Sequence, residues 1–166
     1  MSVFKKINVG VIGATGFTGL DLIFYLSKHP NVKIKYLCAT KNLGSKISSF
    51  DKRLKKNLPK ISSTNKINWK NLDLVYLSLP NGEAQKLINK TFYKFKNLKY
   101  IDLSADFRIN NLKKYLQNYK IKHKAPKLRN ESIYSISEFC KKQIKKFRII
   151  SNPGCYATSI QLPLVP

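Results

Sequence analysis

Pro153 and Gly154 force a turn immediately ahead of Cys155 in the run SNPGCYATS, residues 151–159. A helix starting at such a turn presents unpaired backbone amides and the positive end of its dipole to its first residue, and both favour the thiolate form of a cysteine. Cys155 therefore reads as a nucleophile. Cys38 and Cys140 have no such setting and read as small buried hydrophobes. Three cysteines cannot all pair, and their wide spacing matches no zinc motif, so no metal site is expected and a reducing compartment is the simpler setting.

A second chemical signal is the trio Gly13, Gly16 and Gly19 in GATGFTG. A tight turn, close approach to a pyrophosphate and helix packing each require a missing side chain, and together they describe a dinucleotide turn between a strand and a helix. NAD sites commonly place an acid about 20 residues further on for the ribose hydroxyls. This chain has CATKN there, with no acid. Thr40 and Lys41 suit a ribose 2′-phosphate instead, which favours NADPH over NADH.

The elements that must position these residues follow from apolar spacing. INVGVI, at 7–12, is a short β-branched run ended by glycine, as expected for a buried parallel strand. A helix over 18–28 puts Leu22 and Leu26 on one face and must stop before Pro30. Strands are expected at 32–37, 72–79, 99–103 and 147–151, and helices at 83–95, 110–119 and 137–146. Residues 41–71 read as a loop with one short helix near 47–54. The alternation specifies an α/β, Rossmann-like, doubly wound and mostly parallel sheet.

The 166 residues carry Lys+Arg 32 against Asp+Glu 8, a formal net charge of +24, yet 43% are hydrophobic. That composition excludes a disordered polycation. Only four of the basic residues are arginine; the lysines are scattered through nearly every segment in company with Ile and Asn, residue types that share A- and T-rich codons. Such scatter fits base-composition drift on solvated positions better than a specific nucleic-acid surface. No apolar run reaches the roughly 18 residues of a membrane span, and no signal-peptide pattern precedes the first strand, so a cytoplasmic location is expected.

GATGFTG, SLPNGEAQ (78–85), LSADFR (103–108), YSISE (134–138) and NPGCYATS occur in collinear order across the whole chain. Together they resemble the N-acetyl-γ-glutamyl-phosphate reductases of arginine biosynthesis. Two segments depart from that pattern: Asn81 stands where the family usually has histidine, and YSISE replaces YGLPE.

The resemblance implies NADPH-dependent reduction of N-acetyl-L-glutamyl 5-phosphate to the semialdehyde and phosphate. Cys155 attacks the acyl-phosphate carbonyl, phosphate leaves, and the thioester accepts hydride before collapsing to aldehyde. The expected cofactor residues are Gly13, Thr15, Gly16, Phe17, Thr18, Gly19, Thr40, Lys41 and Pro80. Arg108 and Asn152 are the expected substrate residues, with a pair between Arg108 and Asp102 or Asp106 as the structural alternative. An NADP-binding domain is expected over 1–152, followed by the truncated start of an α+β catalytic domain at 153–166. The acid/base histidine then lies past Pro166, since neither His29 nor His123 suits the role. A small acyl phosphate is the expected partner, with no specific nucleic acid, no membrane, and a homo-oligomer at full length. The competing readings are a sister enzyme acting on an aminoadipyl or aspartyl phosphate, and a basic nucleic-acid-binding protein.

Overall fold

The computed structural model describes residues 5–54 and 57–165. The outer limits of the expected domains, 1 and 166, fall outside them. Seven strands and five α-helices are seen among the described residues, in two compact units: residues 5–78 with 97–99, and 79–96 with 100–165.

In the first unit β1 (Ile7–Ile12) leads into α1 (Phe17–Lys28), β2 (Val32–Cys38), the short β3 (Ile61–Ser62) and β4 (Leu74–Leu77). β1 pairs with β2 and β4, and β2 with β3, all in parallel. Val9 and Val11 have no exposed surface because sheet neighbours flank β1 on both edges and α1 covers it. Ile23 and Leu26 of α1 close on this core with Leu37, Ile47, Leu54 and Ile61. The long segment after β2 is therefore anchored rather than loose. Ile47 begins a 3₁₀ turn (Ile47–Ser49), and Arg53 joins Asp21 of α1 to Asp51 while lying 4.9 Å from the Phe24 ring centre.

The second unit holds α2 (Glu83–Thr91), β5 (Lys99–Asp102) from Tyr100 onward, α3 (Leu112–Tyr119), β6 (Ser132–Tyr134), α4 (Ser137–Ile144), β7 (Ile149–Ser151) and α5 (Cys155–Leu164). β7 lies between β5 and β6, parallel to both. α2 ends at Thr91, short of the expected 95. The Thr91 hydroxyl bonds back to the Leu87 and Ile88 carbonyls and accepts the Tyr100 hydroxyl, and the chain then turns. α3 starts at Leu112 because the Asn111 side chain accepts the Lys114 amide. Every strand pair within each unit is parallel, giving the α/β, Rossmann-like class that the alternation implies.

Candidate active site

The first unit builds an anion cradle at the carboxyl ends of its strands. The Gly13 and Ala14 amides both donate to the Cys38 carbonyl, at 2.9 and 3.0 Å, tying the turn after β1 to the end of β2. Gly13 has φ +88°, and a Cβ there would lie 1.9 Å from the Ser78 carbonyl oxygen. A Cβ on Gly19 would lie 2.2 Å from the Gly13 carbonyl oxygen. Both glycines are thus required by the protein's own backbone. Gly16 differs: its nearest neighbour would be the Gly13 oxygen at 3.6 Å, and it is exposed.

Gly16 caps α1 without any side-chain hydrogen bond, so the first amides of the helix face outward over a surface that a side chain would cover. That is the setting in which helix amides and dipole hold a phosphate. Phe17 and Thr18 are exposed beside it, Thr15 is half-buried, and Thr40 and Lys41 are exposed just past β2. The residues present therefore fit a dinucleotide, and the ribose-facing end of β2 carries hydroxyl and ammonium groups rather than a carboxylate.

The second unit places the loops after β5 and β7 side by side, as strand neighbours must. Arg108 reaches from the first to the second: its Nε donates to the Asn152 carbonyl (3.0 Å) and Nη2 to the Leu103 carbonyl (3.1 Å). Nη1 sits against Gly154, where a Cβ would meet it at 2.9 Å. Neither Asp102 nor Asp106 forms an ion pair with Arg108, so the structural alternative weighed for this arginine is replaced by carbonyl bracing. Among the described residues no carboxylate pairs with its charge at the mouth of the turn. Asn152 is exposed, and its side-chain amide donates to the Pro153 carbonyl.

Cys155 is exposed as the first residue of α5. Gly154 caps that helix without a side chain, and its carbonyl takes the Thr158 amide. The amides of Cys155, Tyr156 and Ala157 open the helix and have no intrahelical partner. Cys38 is buried, and burial pushes its thiol pKa up.

Residues that the sequence reading left without a role organise SLPNGEAQ. Asp106, fully buried, accepts the Gly82 amide on Oδ1 (2.6 Å) and the Gln85 amide on Oδ2 (3.0 Å), capping α2 from a distant loop. Gln85 donates to the Tyr115 hydroxyl and to the Asp106 carbonyl. Burial next to Asp106 raises the Tyr115 phenol pKa to about 12. His123 Nδ1 accepts the Ala125 amide, so Nε2 carries the proton and donates to the Asp106 carbonyl. Burial lowers the His123 pKa, and the ring serves this network as a neutral group. Gly82 offers α2 no capping side chain, and since Gly16 and Gly154 open α1 and α5 in the same way, no local signal marked Asp106 as the remote cap. Pro80 and Asn81 are exposed just before this cap. Tyr134 ends β6 opposite Ser151, Ser135 donates its amide to the Ser151 carbonyl, and Glu138 is exposed in the first turn of α4.

Residues 8–147 match the family model for the semialdehyde dehydrogenase NAD-binding domain. The chain belongs to the semialdehyde dehydrogenase family. Over 163 residues it is 42% identical to N-acetyl-gamma-glutamyl-phosphate reductase of Ehrlichia ruminantium, covering 97% of this chain and 46% of that protein. It is 36% identical to the probable chloroplastic N-acetyl-gamma-glutamyl-phosphate reductase of Oryza sativa subsp. japonica, covering 98% of this chain and 39% of that one. The chain thus spans about half the length, or less, of these curated relatives. Among solved structures, aspartate semialdehyde dehydrogenase II of Vibrio cholerae complexed with ASA matches with a TM-score of 0.68 at 17% identity, over 96% of this chain and 41% of that one. The Candida albicans aspartate semialdehyde dehydrogenase with NADP matches at a TM-score of 0.58 and 20% identity, over 96% of this chain and 46% of that one. These two show the family's fold. In this semialdehyde dehydrogenase NAD-binding domain, no helix among the described residues is long and apolar enough to cross a membrane, and no group of metal-ligating residues is found among them.

Proposed function

We propose that the full-length protein is an NADPH-dependent N-acetyl-γ-glutamyl-phosphate reductase, with Cys155 as its nucleophile. The observation that carries this reading is the exposed Cys155 at an uncapped helix start beside the carbonyl-braced guanidinium of Arg108, in a chain 36% and 42% identical to reductases of that name.

Gly13, Thr15, Gly16, Phe17, Thr18 and Gly19 would hold the pyrophosphate of the cofactor and Thr40 and Lys41 its 2′-phosphate; Pro80 belongs to the same reading as a further cofactor residue. When bound, the dihydronicotinamide supplies hydride. In its deprotonated form Cys155 Sγ adds to the acyl-phosphate carbonyl carbon. The carbonyl oxygen takes the negative charge and is met by the free amides of α5. The carbon–oxygen bond to phosphate then breaks, phosphate departs with the electron pair, and the thioester remains on Sγ. Arg108 Nη1 and the Asn152 amide face the anionic parts of the substrate; a guanidinium held by two carbonyls is already oriented for this. The domain reading, 1–152 for cofactor and 153–166 as the start of the catalytic domain, belongs to the same proposal.

The test is NADPH oxidation by the full-length polypeptide with N-acetyl-L-glutamyl 5-phosphate, against aspartyl and aminoadipyl phosphates. Preference for the acetylglutamyl substrate supports the reading, and preference for either other acyl phosphate replaces it with the sister activity. An NADH preference would overturn the cofactor assignment.

A further inference from the structure

Ile7, Leu74 and Lys99 are the first residues of β1, β4 and β5, and with Lys5, Lys6, Asp73 and Asn97 they line a cavity of about 360 Å³. Every one of them belongs to the first unit. The cavity lies at the amino ends of these strands, whereas the glycine turn follows the carboxyl end of β1. At about 3.3 Å per residue, β1 separates those two ends by roughly 16 Å. The cofactor reading therefore leaves this cavity without an occupant.

Asp73 ties the wall of the cavity together. Its amide donates to the Asn8 carbonyl (3.0 Å), its carbonyl accepts the Lys99 amide (3.1 Å), and its Oδ2 accepts the Asn8 amide (2.7 Å). The Ile7 amide donates to the Asn31 carbonyl at 2.8 Å. The starts of three strands are thus fixed, and Lys99 and the residues leading into Ile7 rise from a held main chain. Among the described residues no carboxylate forms an ion pair with Lys5, Lys6 or Lys99, although Asp73 shares the cavity with them. Three ammonium groups face one carboxylate that is already engaged by a backbone amide, an excess of two positive charges. A concave wall dominated by one sign of charge concentrates its field in a way that lysines scattered over open surface do not.

We propose that this cavity is a binding site for a small organic anion bearing two or more negative charges, a phosphate ester or a polycarboxylate. The volume is that of a small-molecule site. Lysine ammonium groups are compact point charges that suit either acid group, Asn97 adds a neutral amide, and Ile7 and Leu74 offer apolar surface to the carbon part of the ligand.

The proposal uses neither Cys155 nor the cofactor reading, so it fails separately from both. Nitrogen-15 NMR of the full chain, titrated at constant ionic strength with inorganic pyrophosphate and separately with citrate, reads each amide. Saturable shifts at Ile7, Leu74 and Lys99 are expected. Response to pyrophosphate alone assigns a phosphate ester, response to citrate alone a polycarboxylate, and response to both a site that reads charge. Lys99→Gln should weaken the binding about tenfold, the loss of one charge-assisted contact, while Lys90→Gln on the exposed face of α2 should leave it unchanged. Should Lys99→Gln not fold, the double change Lys5→Gln and Lys6→Gln, ahead of β1, should weaken it in the same sense. Pyrophosphate shifts at residues 13–19 belong to the glycine turn and should survive these changes. No saturable shift at the three strand starts with either anion overturns the proposal, and so does equal weakening by Lys99→Gln and Lys90→Gln, the mark of attraction to net charge alone.

Discussion

Nη1 of Arg108 occupies the space into which a side chain at Gly154 would grow, 2.9 Å from an ideal Cβ. The glycine next to the nucleophile is therefore fixed by the arginine and not by its own backbone, which sits at φ −72° and would accept any residue. Gly154→Ala should push the guanidinium off the Asn152 and Leu103 carbonyls and cost about 1 to 3 kcal/mol, the value of one or two hydrogen bonds from a charged donor. Urea unfolding measures that loss. In an Arg108→Ala background the same Gly154→Ala change should cost little, because the clash then has no second party.

The three glycines of GATGFTG should separate into two classes. Gly13→Ala collides with the Ser78 backbone and sits at φ +88°, so it should cost about 3 kcal/mol or more. Gly16→Ala meets nothing nearer than 3.6 Å and should leave stability within about 0.5 kcal/mol. The same change should weaken NADPH binding about tenfold or more, since the methyl covers the helix amides. Thermal unfolding and a dinucleotide titration, run on both variants, check the contrast.

β1 with its glycine turn and α1 were legible because a buried parallel strand and an amphipathic helix each repeat a period over six or more residues. β3 and β6 were not: Ile61–Ser62 and Ser132–Tyr134 are two and three residues long, too short to show any period, and exist only because β2 and β7 offer them a ladder. Cys155 at a helix start was readable from Pro153 and Gly154. The bracing of Asn152 by Arg108 and the remote capping by Asp106 depend on partners 21 to 44 positions apart, which local pattern does not encode.

Lys41 should distinguish the two nicotinamide cofactors. Lys41→Ala should weaken NADPH binding by about 1 kcal/mol or more, the value of a charge-assisted contact, and leave NADH binding unchanged. Fluorescence titration with both cofactors reads the difference directly; equal losses would remove Lys41 from the 2′-phosphate site.

A buried carboxyl and a half-buried imidazole give stability opposite dependences on pH. The folded Asp102 carboxyl titrates near 6, above the ordinary carboxylate value, so the folded state holds its proton more tightly and stability falls as pH rises towards 6. Asp102→Asn should remove that decline, worth on the order of 2 kcal/mol between pH 4 and pH 7. His123 is shifted downward, so its contribution is complete above the ordinary imidazole value and is lost as pH falls through it. His123→Gln should remove this acid-side loss and leave the Asp102 effect in place. Urea unfolding at a series of pH values separates the two.

The most direct test of the nucleophile assignment is the mass of the full-length protein after brief exposure to N-acetyl-L-glutamyl 5-phosphate without NADPH. The thioester reading predicts one N-acetylglutamyl group on the peptide containing Cys155, discharged on adding NADPH and absent from Cys155→Ser. Turnover with no such adduct, or with the acyl group on another residue, would contradict it.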